Sequence, residues 1–254
     1  MDSPGRYELK YVLDLQKMNR IRNSISKLME PDEHNEEHGY RVDSLYYDTP
    51  DLAWFWDKVE GEKIRTKMRI RTYPKDFRKT ENAFVEFKMK TGHVVTKRRV
   101  RLRTEHALML CSGQSPDTFE SLEQERFCEE TQAMVHAMSL KPAAFTSYMR
   151  VAFFSEHSLS KLRITFDTLC KGRVNELGLF SDSPLFSFLP QDMGIMELKT
   201  DSSVPGWLLD ILQFYRVKMT RMSKYCTVAA LGRGIEVLPL VSLPARFTGE
   251  NHHG

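Results

Sequence analysis

Arg65-Thr66-Lys67-Met68-Arg69-Ile70-Arg71 places a cation at every second position. Successive side chains of a strand point to opposite faces, so the four cations share one face and Thr66, Met68 and Ile70 share the other. The pattern recurs downstream. From Phe84 to Lys90, Glu86, Lys88 and Lys90 alternate with Val85, Phe87 and Met89; then Lys97, Arg99, Arg101 and Arg103 stand against Val100 and Leu102, with Arg98 the exception. Shorter versions occur at Arg6, Glu8 and Lys10, at Tyr148 and Arg150, at Arg163, Thr165 and Asp167, and at Glu197 and Lys199.

A charged face on any one strand has a plain explanation, the solvated side of a half-buried antiparallel sheet. Repetition across this many strands weakens it. Like charges opposite one another cost up to ~1 kcal/mol per pair, and a merely solvated face mixes signs. If the sheet curls until these faces meet, the cations line one channel, where Lys binds phosphate oxygens and Arg binds them bidentately. The apolar faces then point outward, under helices. The expected class is α+β: an antiparallel β-tunnel with a basic interior and helices packed outside.

Around these rails, residues 14–29 have helical spacing behind an Asp14 cap, with Met18, Ile21, Ile25, Leu28 and Met29 on one side. Residues 40–55 read as strand running into a turn at Asp48-Thr49-Pro50-Asp51. Residues 63–73 and 83–103 read as strands, 117–139 as one long or two short helices ended by Pro142, and 145–155, 161–169 and 194–200 as strands with a turn at His157 to Ser160. Trp207 to Tyr215 reads as a short helix and 223–231 as a last strand. With no repeat and no linker-like composition, one domain over 1–243 and a flexible tail over 244–254 is the simplest division.

The bulk composition narrows the function classes. At 41% hydrophobic over 254 residues the chain can build a real core, which excludes a disordered tail. Four cysteines without a CxxC pair fit a reduced compartment. The start MDSPGRYELK has no signal-like run, and no stretch approaches the ~20 apolar residues that span a bilayer, so a cytoplasmic location without a membrane segment is expected. The net charge of +3 hides segregation: acids gather at Glu30, Asp32, Glu33, Glu36 and Glu37 and again at Glu120 to Glu130, while bases gather in strands. Single-strand nucleic-acid binders put aromatics on their basic face, and the densest rails here carry none, so no nucleic-acid partner is expected.

Taken in order, Arg6-x-Glu8-x-Lys10-Tyr11, Ser44-Leu45-Tyr46-Tyr47-Asp48-Thr49, Arg69-x-Arg71-x-Tyr73, Glu86-x-Lys88, Tyr148-x-Arg150, Arg163-Ile164-Thr165-x-Asp167, Glu197-x-Lys199 and Ser223-Lys224-Tyr225 resemble the VTC (vacuolar transporter chaperone) polyphosphate-polymerase domain of the triphosphate tunnel metalloenzyme superfamily. The resemblance implies an eight-stranded tunnel that transfers the γ-phosphate of ATP to a growing inorganic polyphosphate chain with a divalent metal, Mn²⁺ or Mg²⁺. Carried over residue by residue, it implies phosphate binding by Lys10, Arg69, Arg71, Lys88, Lys97, Arg150, Arg163 and Lys199. It further implies catalysis by Lys224 after Ser223, with Arg69 and Arg71, metal coordination by Glu197, and stacking of Tyr148 on the nucleotide base. Hydrolytic members resemble a Glu-x-Glu-x-Lys strand; here Arg6 replaces the first acid, which favours polymerase. The alternatives are a tunnel triphosphatase and a non-catalytic polyphosphate-binding module.

Overall fold

The computed structural model describes residues 7–74, 80–92, 94–155, 161–201 and 203–237. Among these, the chain runs β1 (Tyr7–Asp14), α1 (Leu15–Ile25), β2 (Glu30–Pro31), β3 (Tyr40–Asp48), α2 (Ala53–Glu60) and β4 (Ile64–Thr72). It continues through β5 (Asn82–Thr91), β6 (Val94–Arg103), α3 (Thr104–Cys111), α4 (Leu122–Ala137), β7 (Lys141–Ser155) and β8 (Leu162–Arg173). Last come β9 (Phe186–Ser187), β10 (Met193–Thr200), α5 (Gly206–Phe214) and α6 (Lys224–Arg233).

The eight long strands form one antiparallel sheet in the order β1-β10-β8-β7-β3-β4-β5-β6, and the two-residue strands β2 and β9 add to β7 and β8. The eight-stranded antiparallel, α+β expectation holds. Among the described residues the end strands β1 and β6 are not paired through their backbones. Lys88 of β5 nevertheless forms an ion pair with Glu8 of β1. The sheet therefore curls until side chains from its two ends meet.

The outer face is buried in two places. Tyr11, Leu13, Ile164, Phe166, Met196 and Leu198 pack with Met18, Ile21 and Ile25 of α1 and Leu208 and Leu212 of α5. Leu45, Met68, Ile70, Val85 and Leu102 pack with Leu110 of α3 and Phe127 and Val135 of α4. The third cluster lies inside the curl. Val12, Val42, Tyr46 and Ile195, on the face that also carries Lys10 and Glu197, pack against Tyr225, Cys226, Val228 and Ala229 of α6. That helix fills one end of the tunnel, and each side chain so removed from water contributes about 2 kcal/mol. Gly172 in β8 makes the fit: a Cβ there would fall 2.5 Å from Val228 Cγ2 and 2.8 Å from the Phe145 carbonyl oxygen.

The 223–231 segment is helix, not the strand its β-branched and aromatic residues suggest. The Ser223 hydroxyl accepts the Cys226 N–H at 3.3 Å and caps the helix. Every residue from Lys224 to Ala230 is buried, so there is no polar stripe to mark a helical period. The 40–55 strand stops at Asp48, whose carboxylate accepts the backbone N–H groups of Trp54 at 3.0 Å and Phe55 at 2.9 Å and so starts α2. The turn expected at Asp48 to Asp51 is present. The 117–139 helix is α4, ending at Ala137; Pro142 falls inside β7 rather than ending a helix. Arg6, the turn at His157 to Ser160 and the 244–254 tail lie outside the described residues. No described helix is long and apolar enough to cross a membrane.

Candidate active site

One wall of the tunnel comes from β1, β10 and β8. Their register sets Lys10 opposite Glu197 and Glu197 opposite Thr165, and sets Glu8 opposite Lys199 and Lys199 opposite Arg163. Charges thus alternate in sign along β1 and β10 and across that pair, while Lys199 and Arg163 set like charges opposite one another between β10 and β8. Lys10 Nζ lies 2.9 Å from Glu8 Oε1, and Lys199 Nζ lies 2.7 Å from Glu197 Oε1. Burial and the nearby Glu197 both act to raise Glu8, but Lys10, Lys88 and Lys199 outweigh them and hold it below the usual carboxylate range. Burial likewise acts to raise Glu197, and Lys199, Lys10 and Lys224 outweigh it. Both are carboxylates at neutral pH. Lys10 is raised, because Glu8 and Glu197 more than offset its burial.

The centre of the site is Asp167 on β8, fully buried. The guanidinium of Arg150 on β7 donates to both its oxygens, from Nε at 2.7 Å and from the Nη2 at 2.8 Å. Lys224 Nζ, at the first residue of α6, lies 2.7 Å from the same carboxylate. A carboxylate holding two cations fixes their positions, and it raises Lys224 above its ordinary value despite the burial that lowers it. The helix N-terminus adds partial positive charge at the same spot. Tyr148 lies beneath both cations, 2% exposed, with Arg150 5.2 Å and Lys224 4.7 Å from its ring centroid. Its hydroxyl accepts from Arg71 at 3.2 Å.

The opposite wall is the 65–71 rail with β5 and β6. Arg69 donates from Nε to Glu86 at 2.8 Å and from Nη1 to the Tyr46 hydroxyl at 3.0 Å, and Lys97 Nζ lies 3.1 Å from Glu86. Burial would raise the Tyr46 phenol, yet Arg69, Arg71 and Lys67 bring it down to about 8. Burial lowers Lys97 to about 8, only partly offset by Glu86. Lys67 Nζ donates to Ser223 Oγ at 2.8 Å, tying this wall to the start of α6; its pKa is lowered by burial and by Lys10 and Lys88.

The structure brings the expected site residues inward in paired groups: Lys10 and Lys88 on Glu8, Lys199 on Glu197, Arg69 and Lys97 on Glu86, Arg150 and Lys224 on Asp167 and against Tyr148, which also takes Arg71, and Ser223 on Lys67. Arg163 stands apart, nearer the tunnel mouth, where it bonds Asp32 at 3.1 Å and the Tyr40 hydroxyl at 3.3 Å. Glu8, Glu86, Tyr46, Lys67 and Asp167 take part without having been read as site residues from the sequence. Lys67 was signalled by its place in the rail between Arg65 and Arg69. Asp167, the shared anchor of Arg150 and Lys224, carries no local signal of that role, because its partners lie on β7 and α6.

The inward carboxylates Glu8, Glu86, Asp167 and Glu197 are each paired with at least one cation. No group of three His, Cys, Asp or Glu gathers to hold a metal among the described residues. Glu197 with Glu8 nonetheless suits Mg²⁺ or Mn²⁺ of the kind held by one or two carboxylates together with substrate phosphates.

Two solved structures described as putative adenylate cyclases align with the chain. The one from Vibrio parahaemolyticus is 12% identical over 85% of this chain and 91% of that one, with a TM-score of 0.43. The one from Bacillus halodurans is also 12% identical, over 86% and 95%, with a TM-score of 0.45. No curated protein matches the sequence. The model of the VTC domain matches residues 5–232, most of the chain, and so the chain belongs to the VTC domain family.

Proposed function

We propose that the chain is a polyphosphate polymerase that transfers the γ-phosphate of ATP to the end of an inorganic polyphosphate chain inside the tunnel. The observation that carries this reading is the meeting of Lys224 and Arg150 on Asp167, opposite the Arg69 and Arg71 wall, with cations in excess of carboxylates between them. Phosphoryl transfer needs positioning and neutralisation of charge on the equatorial oxygens more than a covalent nucleophile. Arg69 and Arg71 hold the phosphates of the donor, and Lys224 faces the phosphoryl that moves. Lys10, Lys88, Lys97 and Lys199 hold the acceptor chain. A terminal oxygen of that chain forms the new P–O bond as the bond from the γ-phosphorus to the bridging oxygen breaks, and the electron pair leaves on ADP. Glu197 would hold a divalent metal, whose chemistry would be neutralisation of phosphate charge. Arg163, at the mouth, guides the polyanion inward.

The fully paired state of the inward acids favours transfer over hydrolysis. A hydrolase needs a carboxylate to orient water, and here each inward one is committed to a lysine or arginine. The test is incubation with ATP and Mn²⁺ or Mg²⁺, following ADP, free phosphate and long polyphosphate together, with Lys224→Ala beside the wild type. Polymer with ADP, lost in the variant, is the expected result. Free phosphate without polymer would make the chain a triphosphatase, and binding of polyphosphate without turnover would make it a binding module.

A further inference from the structure

Helices α1 and α5 form one layer on the outer face of β1, β10 and β8, where Met18, Ile21 and Ile25 of the first and Leu208 and Leu212 of the second pack on the sheet. What this layer turns away from the sheet is one-sided in charge. Residues 14–29 hold Lys17, Arg20, Arg22 and Lys27 against Asp14, whose carboxylate caps α1 at the Lys17 N–H. Residues 206–223 hold Arg216, Lys218 and Arg221 against Asp210. Arg20, Lys27, Arg216, Lys218 and Arg221 are exposed.

Apolar side chains stand among these cations. Helix α5 is apolar on both sides: Leu208 and Leu212 are buried, while Leu209 is 51% and Phe214 80% exposed, and Met219 just beyond is 63% exposed. Single exposed apolar residues are ordinary on a protein surface, but these three fall between 209 and 219 and interleave with Arg216, Lys218 and Arg221. The segment is held in place. The Thr220 N–H donates to the Lys10 carbonyl at 2.7 Å along β1, and Tyr215 and Val217 pack into the cluster beneath.

A lipid surface of negative charge suits both halves of this pattern. Exposed aromatic and thioether groups enter the boundary between headgroups and acyl chains, while Lys and Arg around them meet the anionic headgroups. A soluble polyanion satisfies the cations alone and leaves Leu209, Phe214 and Met219 in water. Lys10 and Glu197 alternate with Tyr11, Met196 and Leu198 along their strands, so the layer lies on the far side of this wall from the tunnel. A surface resting on it leaves the tunnel free.

We propose that the α1–α5 layer is a docking face for an anionic lipid surface, with Phe214 and Met219 entering the interface and Arg20, Arg216, Lys218 and Arg221 on the headgroups. The contact is peripheral and needs no spanning segment.

The test is co-sedimentation of the full chain with vesicles of phosphatidylcholine alone and of phosphatidylcholine with phosphatidylserine, in saturating tripolyphosphate so that the tunnel cations are occupied. The variants Phe214→Ala and Lys218→Glu with Arg221→Glu change exposed side chains outside the tunnel, and tripolyphosphate binding reports whether each is folded. A basic residue near an anionic surface strengthens binding about fivefold, so the double reversal should weaken binding to phosphatidylserine vesicles by about tenfold or more. Phe214→Ala should weaken it about fivefold, the scale of a partly buried ring. Tripolyphosphate affinity should stay unchanged in both. Wild type that fails to bind phosphatidylserine vesicles, or binds them equally in both variants, would overturn the proposal. Loss in the double reversal with Phe214→Ala unchanged would also overturn it, leaving a general anion-binding surface. Self-association in sedimentation velocity without vesicle binding, lost in the double reversal, would instead make the face a contact between copies of this chain. Polymer synthesis tests the tunnel separately, so neither result decides the other.

Discussion

Replacing Asp167 by Asn removes one negative charge from a place where two positive charges depend on it. The side chain is fully buried; Arg150 contacts it through two hydrogen bonds and Lys224 through a third, all between 2.7 and 2.8 Å. Breaking a buried ion pair by deleting one partner costs about 3–5 kcal/mol, because the remaining charge is left uncompensated. The isosteric amide keeps some of the hydrogen bonding, so about 3 kcal/mol is expected. At roughly 2–4 °C per kcal/mol for a domain of this size, that lowers the melting temperature by about 6–12 °C. Urea denaturation and thermal melting measure it directly. Tripolyphosphate should restore more stability to Asp167→Asn than to wild type, since the ligand supplies the missing negative charge. The acid limb should change as well. Burial acts to raise Asp167, but Arg150 and Lys224 outweigh it and hold its folded pKa below the ordinary 3.8. Its contribution is therefore present above pH 4 and lost as pH falls through the depressed folded value, and the variant should lack that loss. A cost under 0.5 kcal/mol, with no gain in tripolyphosphate rescue, would refute the idea that Asp167 organises the two cations.

Two further outcomes follow from the same contacts. Lys97 titrates near 8, so tripolyphosphate binding should weaken as pH rises from 7 to 9 while the lysine loses its charge; Lys97→Arg should flatten that limb, with any remainder assigned to Tyr46, which also titrates near 8. Gly172→Ala should cost about 1–3 kcal/mol in thermal unfolding by driving a Cβ into Val228 and the Phe145 carbonyl, and Val228→Ala in the same chain should recover part of it.

The rails were legible because strand alternation is a local property: Arg65 to Arg71 and Lys97 to Arg103 declare their faces within seven residues, and those faces fix which way the sheet must curl. What the sequence hides is of two kinds. Helix α6 has no amphipathic period because it is buried all round by the tunnel end it fills, so its β-branched and aromatic residues read as strand. The short helix α2 depends on Asp48 reaching forward to the N–H groups of Trp54 and Phe55, a cap that the turn residues around it disguise. The role of Asp167 is long-range in the same sense, since nothing near it in the chain points to Arg150 or Lys224. Tyr148 was legible as an aromatic on a cationic face, but the cations that cover it arrive from its own strand and from α6, which no spacing rule foretells.

Strand β6 lies at the end of the sheet, with no further strand paired to it among the described residues, and Lys97, Arg98, Arg99, Arg101 and Arg103 stand along it in solvent. Unpaired strand edges invite another copy to add its own strand, and a row of like charges is a common defence against that. Apart from Arg98, which pairs with Glu130, the defence is made of the rail that the proposed polyanion would meet. When a polyanion neutralises it the repulsion between two edges falls, so the protein loaded with long polyphosphate is the state most exposed to edge-to-edge aggregation, and the free protein the least.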